Sequence, residues 1–201
     1  MELICISLAG YLIGAVPFAY VIGKAFYHTD VRRHGSGNLG GSNTGRVLGK
    51  KAGLAVMTLD LLKVTLVVFL ATKFCADPRA VAWGAVAAAI GHCYPVFVRF
   101  RGGKAVAAMY GFLFGLWLCA GYSPMLYFLP LVTFLSVLFL TKIVALSSML
   151  SAVAAVVYLR LTPAEPSVRV AIVIFAALVI LRHKDNIRRM LTGTENKIHW
   201  M

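Results

Sequence analysis

AVAAMYGFLFGLWLCAGYSPMLYFLPLVTFLSVLFLT, residues 105–141, runs for 37 positions without one charged side chain. An α-helix crosses the hydrocarbon of a bilayer with about 20 apolar residues, in a range of roughly 17–25. The stretch is too long for one crossing and suits two, with Gly121, Tyr122, Ser123 and Pro124 supplying turn chemistry between them. A water-facing domain has no use for so long an uncharged run. The fold class expected from it is all-α, a polytopic membrane protein.

The rest of the chain agrees. Of its 201 residues, 60% are hydrophobic and 13% charged, about half the charge of a soluble domain. Further apolar segments predict spans over 3–23, 53–72, 80–98 and 143–159, and a shorter one over 170–181 that must borrow flanking residues. With the two from the uncharged run, the count is seven. Glu2 precedes the first span and Lys24 follows it, the reverse of a secretory signal peptide, so this helix is expected to stay, N-terminus outside.

Charge supports that count, because cytoplasmic loops collect Lys and Arg. Seven spans put fifteen basic residues on the C-terminal side and four (Lys73, Arg79, Arg160, Arg169) on the other. Six spans would move the five basic residues of the tail across and weaken the bias. The expected arrangement is a single membrane domain, residues 1–201, with a cytoplasmic C-terminus. The excess of twenty Lys/Arg over seven Asp/Glu then points to anionic headgroups or substrates, not nucleic acid. Cys5, Cys75, Cys93 and Cys119 show no metal spacing. Cys5, Cys75 and Cys119 fall toward the outer side, where a disulfide is allowed but nothing in the sequence specifies one.

The polar clusters fall on the cytoplasmic side. Gly35, Ser36, Gly37, Asn38, Gly40, Ser42 and Asn43, followed by Arg46, form a glycine-rich loop. Such a backbone can turn successive N–H groups into one concavity for phosphate oxygens, with Arg46 as a planar fork; the alternative is a flexible linker. Gly102, Gly103 and Lys104 stand before the fourth span, where free N–H groups attract anions. His92 reads equally as an ordered helix-end residue or as a proton-handling one. His183 and Asn186 lie three apart, hence on one helical face, within a basic segment that could otherwise lie flat on lipid. Asp60 and Lys63, inside the second span, are expected to pair, since charge at membrane depth is costly; the pair is structural or borders the site.

Taken together, Gly35-Ser36-Gly37-Asn38-x-Gly40-x-x-Asn43-x-x-Arg46, Asp60-x-x-Lys63, Gly91-His92-x-x-Pro95-x-Phe97, Gly102-Gly103-Lys104 and Arg182-His183-x-x-Asn186-Ile187-x-Arg189 resemble the PlsY-type acyl-phosphate:glycerol-3-phosphate acyltransferases of bacteria. The resemblance runs in order over residues 10–195. It implies a seven-helix enzyme of the bacterial inner membrane. Such an enzyme moves an acyl chain from acyl phosphate to the 1-position hydroxyl of glycerol 3-phosphate, giving lysophosphatidic acid and phosphate. The chain departs from the family pattern at Val64 and Ala105, where glycine is usual, and at Gly41-Ser42, where Ala-Thr is usual. It departs again at Ala145, which replaces the first of two serines; Ser148 matches the second.

An acyl phosphate is already activated, so catalysis needs positioning, charge neutralisation and one proton transfer. Phosphate binding is expected of Arg46, Lys104 and the 35–40 loop, and orientation of the hydroxyl and carbonyl of Ser36, His92, His183 and Asn186. The departing phosphate as proton acceptor is preferred to a His92 base. No His is followed five positions later by Asp, and no acidic cluster suits a divalent metal. No metal or cofactor is expected; the partners are acyl phosphate, glycerol 3-phosphate and membrane lipid. An anion transporter is the competing class, though its polar residues would gather at midplane.

Overall fold

The structure is a computed structural model and describes residues 1–198. It contains ten α-helices among those residues and no strand. Helix α1 is Glu2–Gly14 and α2 is Phe18–Tyr27; α3 is Gly41–Leu48, α4 Lys50–Phe74 and α5 Arg79–Cys93. Beyond them α6 is Val106–Cys119, α7 Met125–Thr141, α8 Val144–Leu161, α9 Pro166–Arg182 and α10 Lys184–Leu191.

The uncharged run splits where its turn residues predict, between Cys119 and Met125, with Gly121 at φ 73°. Its first half is short. The 14 residues of α6 span roughly 21 Å at 1.5 Å per residue, and its middle, from Ala108 to Leu113, is buried by its neighbours. Helix α9 begins at Pro166, four residues earlier than predicted, because the Glu165 side chain accepts the Val168 N–H at 3.1 Å and caps it.

Two expectations need correction. The first span is not one helix: α1 and α2 are separated at residues 15–17, because Pro17 has no N–H to continue the ladder. The break leaves the Val16 carbonyl free, and the buried Lys63 ammonium donates to it at 2.9 Å. Nor is the basic segment a straight extension of the last span, since α10 turns from α9 by 55°.

Close helix contact rests on small residues. Gly14 lies on the Ala88 backbone, and Gly91 on Tyr11 and Ala15, so α1 and α5 meet backbone to backbone. The core gathers Val64, Val67 and Val68 of α4, Phe112 and Leu113 of α6, and Ile172 and Phe175 of α9. The Phe112 and Phe175 rings stack at 5.0 Å. A smaller cluster of Ala19, Val31, Leu39, Val56 and Val98 supports the α2–α3 loop from beneath. Leu54, Leu62 and Leu66 of α4 and Val132, Leu135 and Phe139 of α7 are exposed. An apolar surface of that extent suits lipid and not water.

Candidate active site

The α2–α3 loop is built on one amide. Asn43 is 1% exposed; its Oδ1 accepts the Ser36 N–H at 2.8 Å, and its Nδ2 donates to the carbonyls of Val31 (3.1 Å) and His34 (3.2 Å). Gly35 and Gly37 take φ of 59° and 68°, the left-handed region where glycine carries no penalty. A side chain on Gly35 would run into the Asn43 amide. Asp30 anchors the loop's start by gripping Arg32 at 3.0 and 2.7 Å. That pairing holds the Asp30 carboxyl down at about 2. Gly40 precedes α3 without a side-chain cap, so the first N–H groups of that helix have no intrahelical partner. Ser36, Ser42 and Arg46 stand exposed around them.

Asn43 is thus a positioning residue, against the expectation that it binds phosphate. Its three polar bonds are all to the loop.

The Gly-Gly-Lys loop also differs from its expected form. The Gly102 and Gly103 N–H groups are not free: they donate to the Cys93 (3.2 Å) and His92 (2.9 Å) carbonyls and close the end of α5. Their own carbonyls accept Arg182 at 3.1 Å each, while that guanidinium lies over the Tyr94 ring. A Cβ on Gly103 would strike the His92 imidazole. These glycines are there for close packing. What they deliver is Lys104.

Lys104 donates to Asn186 Oδ1. The Asn186 Nδ2 donates to Glu195 at 2.7 Å, and the other Glu195 oxygen accepts Arg189 Nε at 2.8 Å. Burial, with Arg189, Arg46 and Arg182 nearby, lowers the Lys104 pKa to about 8, although Glu195 opposes the shift. His183 is buried, with Nδ1 2.7 Å from the Val179 carbonyl. That nitrogen must carry the proton, leaving Nε2 as an acceptor. The chain then passes from Gly193 to a bond between the Ile198 N–H and the Lys142 carbonyl, 2.9 Å long.

A second polar group lies behind this one. Asp60 Oδ1 is 2.7 Å from Lys63 Nζ and 3.6 Å from His92 Nδ1. These three side chains, with Val16, Pro17, Leu39 and Gly102, line a crevice too tight to admit water. The expected Asp60–Lys63 pair is present, and it also contacts His92. With one nitrogen toward Asp60 and the other against Gly103, His92 sits where it can brace the lysine loop. Ser148 is buried and returns its hydroxyl to the Val144 carbonyl at 2.8 Å. Sequence reading gave no role to Arg182 or Glu195. Arg182 stood inside a quoted motif, but Glu195 lies in a polar tail without periodicity, and only the fold-back reveals it.

Fold and sequence together define a multi-pass helical membrane protein with a cationic, glycine-shaped cluster of side chains around Lys104. The chain belongs to the glycerol-3-phosphate acyltransferase family, whose model matches residues 4–193. It is 46% identical over 193 residues to a glycerol-3-phosphate acyltransferase of Bacillus cytotoxicus, covering 96% of this chain and 93% of the relative. A relative with the same description in Geobacillus kaustophilus is 44% identical, over 97% of this chain and 95% of its own. Among solved structures, the fold matches PlsY (YgiH), an integral membrane glycerol 3-phosphate acyltransferase, in its glycerol 3-phosphate form. The TM-score is 0.91 at 33% identity, over 99% of this chain and 96% of that one. The lysophosphatidic acid form matches with a TM-score of 0.88.

Proposed function

We propose that this protein transfers an acyl chain from acyl phosphate to the 1-position hydroxyl of glycerol 3-phosphate, releasing lysophosphatidic acid and phosphate. The observation that carries this reading is the gathering of Asn186 and Arg46 around Lys104, with Arg46 borne by α3, a helix whose N-terminus has no side-chain cap. Two anionic phosphates must be held side by side for the reaction. One lies on Lys104, Asn186 and Arg46, and the other on the N–H groups at the start of α3. Ser36 and the His183 Nε2 orient the attacking hydroxyl. Its oxygen bonds to the acyl carbon, the carbon–oxygen bond to phosphate breaks, and the departing phosphate takes the hydroxyl proton. No cofactor is needed, because the anhydride supplies the activation.

The protein works in the bacterial inner membrane with seven spans, its N-terminus outside and its site facing the cytoplasm. The basic residues of the α2–α3 loop, the Gly-Gly-Lys loop and α10 support this, since all belong to the end that carries Lys104. The helices hold the acyl tail in lipid while glycerol 3-phosphate arrives from water.

The test incubates purified protein with an acyl phosphate and labelled glycerol 3-phosphate. Lysophosphatidic acid and inorganic phosphate should form in equal amounts, and Ser36→Ala should lose that activity while keeping its fold. Uptake of label into proteoliposomes without product would show a transporter instead.

A further inference from the structure

The opposite end of the bundle carries a feature the acyltransfer reaction does not use. Glu2, in the first turn of α1, reaches across to the turn between α4 and α5. Its Oε2 accepts the Ala76 N–H at 2.9 Å and the Asp77 N–H at 3.4 Å. Cys5 follows Glu2 by three residues, so it projects from the same face of α1. Cys75 is the last residue before that turn, adjacent to Ala76. The Glu2 contacts therefore draw the two cysteines together. Burial pushes the Cys75 thiol up, and Glu2, Asp77 and Cys5 push it the same way. Cys5 is exposed and Cys75 half-buried, and both thiols are free. Cys93 is buried at the other end of α5.

We propose that Cys5 and Cys75 form a disulfide that fastens the start of α1 to the α4–α5 turn. Each thiol gives up one proton and one electron as the sulfur–sulfur bond forms. The electron pair passes to a dithiol–disulfide oxidoreductase in its disulfide form, which becomes the dithiol. The bond belongs outside the cytoplasm, where disulfides persist, and so rests on the proposed orientation but not on the acyltransfer reaction. The closed loop takes in α1 to α4, including the α2–α3 loop. Oxidation thus ties the frame of the site from its far end.

The protein is purified from membranes with free thiols blocked by alkylation at lysis, then digested and analysed by mass spectrometry without reductant. The expected result is a peptide pair joined through Cys5 and Cys75, lighter by two hydrogen atoms than the separate peptides, with Cys93 and Cys119 alkylated. Alkylation of Cys5 and Cys75 in the majority of molecules would overturn the proposal. So would a bond from either residue to Cys119 or to a second copy of the chain. After reduction in intact cells, a membrane-impermeant maleimide should label Cys75. Absence of labelling with the cross-link present would refute the outward placement of the bond and the orientation reading beneath it. Acyltransfer is measured on the same preparation, so failure of that function is distinguished from failure of the disulfide.

Discussion

The side chain of Asn43 holds the backbone of Ser36 at 2.8 Å, so a residue in the first turn of α3 fixes the shape of a loop seven positions earlier. The same amide donates to Val31 and His34, and all three bonds are lost together in Asn43→Ala. Each neutral bond is worth about 1 kcal/mol, giving roughly 2–3 kcal/mol. The variant should melt measurably lower in detergent and lose most of its kcat, because Ser36 is released. Asn43→Asp keeps the acceptor and loses both donors, so it should fall between. Equal activity of Asn43→Ala and the native protein would rule out the positioning role.

Gly103 and His92 make a second such relationship. A methyl group on Gly103 meets the imidazole ring, and overpacking of this kind costs about 1–3 kcal/mol. Gly103→Ala should therefore lower the melting temperature, and His92→Ala should restore part of that loss by emptying the space. Additive losses in the double variant would show that the two residues do not share this contact.

Much of this was legible in the sequence. The uncharged run and its turn fixed the helical membrane class, and motif order pointed to the α2–α3 loop, Lys104 and Asn186. The glycines are ambiguous in the sequence for a physical reason. Gly-Gly before Lys104 is equally compatible with free N–H groups and with tight packing, and only the position of the His92 and Cys93 carbonyls decides between them. The break at Pro17 was hidden because hydropathy continues across it. Glu195 was hidden because its partners lie six and nine residues back across a chain reversal.

Asp60 and Lys63 are 2% and 6% exposed. Removing one charge strands the other, which costs about 3–5 kcal/mol in a buried pair. Asp60→Asn should reduce the yield of folded protein sharply. Asp60→Asn with Lys63→Met should recover much of it, since no unpaired cation remains. A double variant as unstable as the single one would place the importance of Asp60 in its contact with His92.

Glu195 accepts from Asn186 and Arg189 and has a side chain only 6% exposed. In Glu195→Ala two charge-assisted or polar donors lose their acceptor, and Asn186 no longer has a fixed orientation toward Lys104. The expected outcome is a lower melting temperature together with a KM for glycerol 3-phosphate raised several-fold. Glu195→Gln keeps an acceptor for one donor and should show a smaller effect on both. Unchanged KM in Glu195→Ala would separate the tail from the site.

Lys104 gives the pH dependence. Its pKa is lowered to about 8, so the free protein holds the ammonium charge below that pH and loses it above. A bound phosphate favours the charged form and raises the pKa, so binding above pH 8 takes up a proton. The KM for glycerol 3-phosphate should be steady between neutrality and pH 8 and then climb, by up to about tenfold per pH unit. Lys104→Arg never deprotonates in this range. Its different shape changes the starting KM, but the climb above pH 8 should disappear. Initial-rate measurements from pH 7 to 9.5 on both proteins decide the matter: parallel profiles would mean that Lys104 does not carry the titrating charge that binds phosphate.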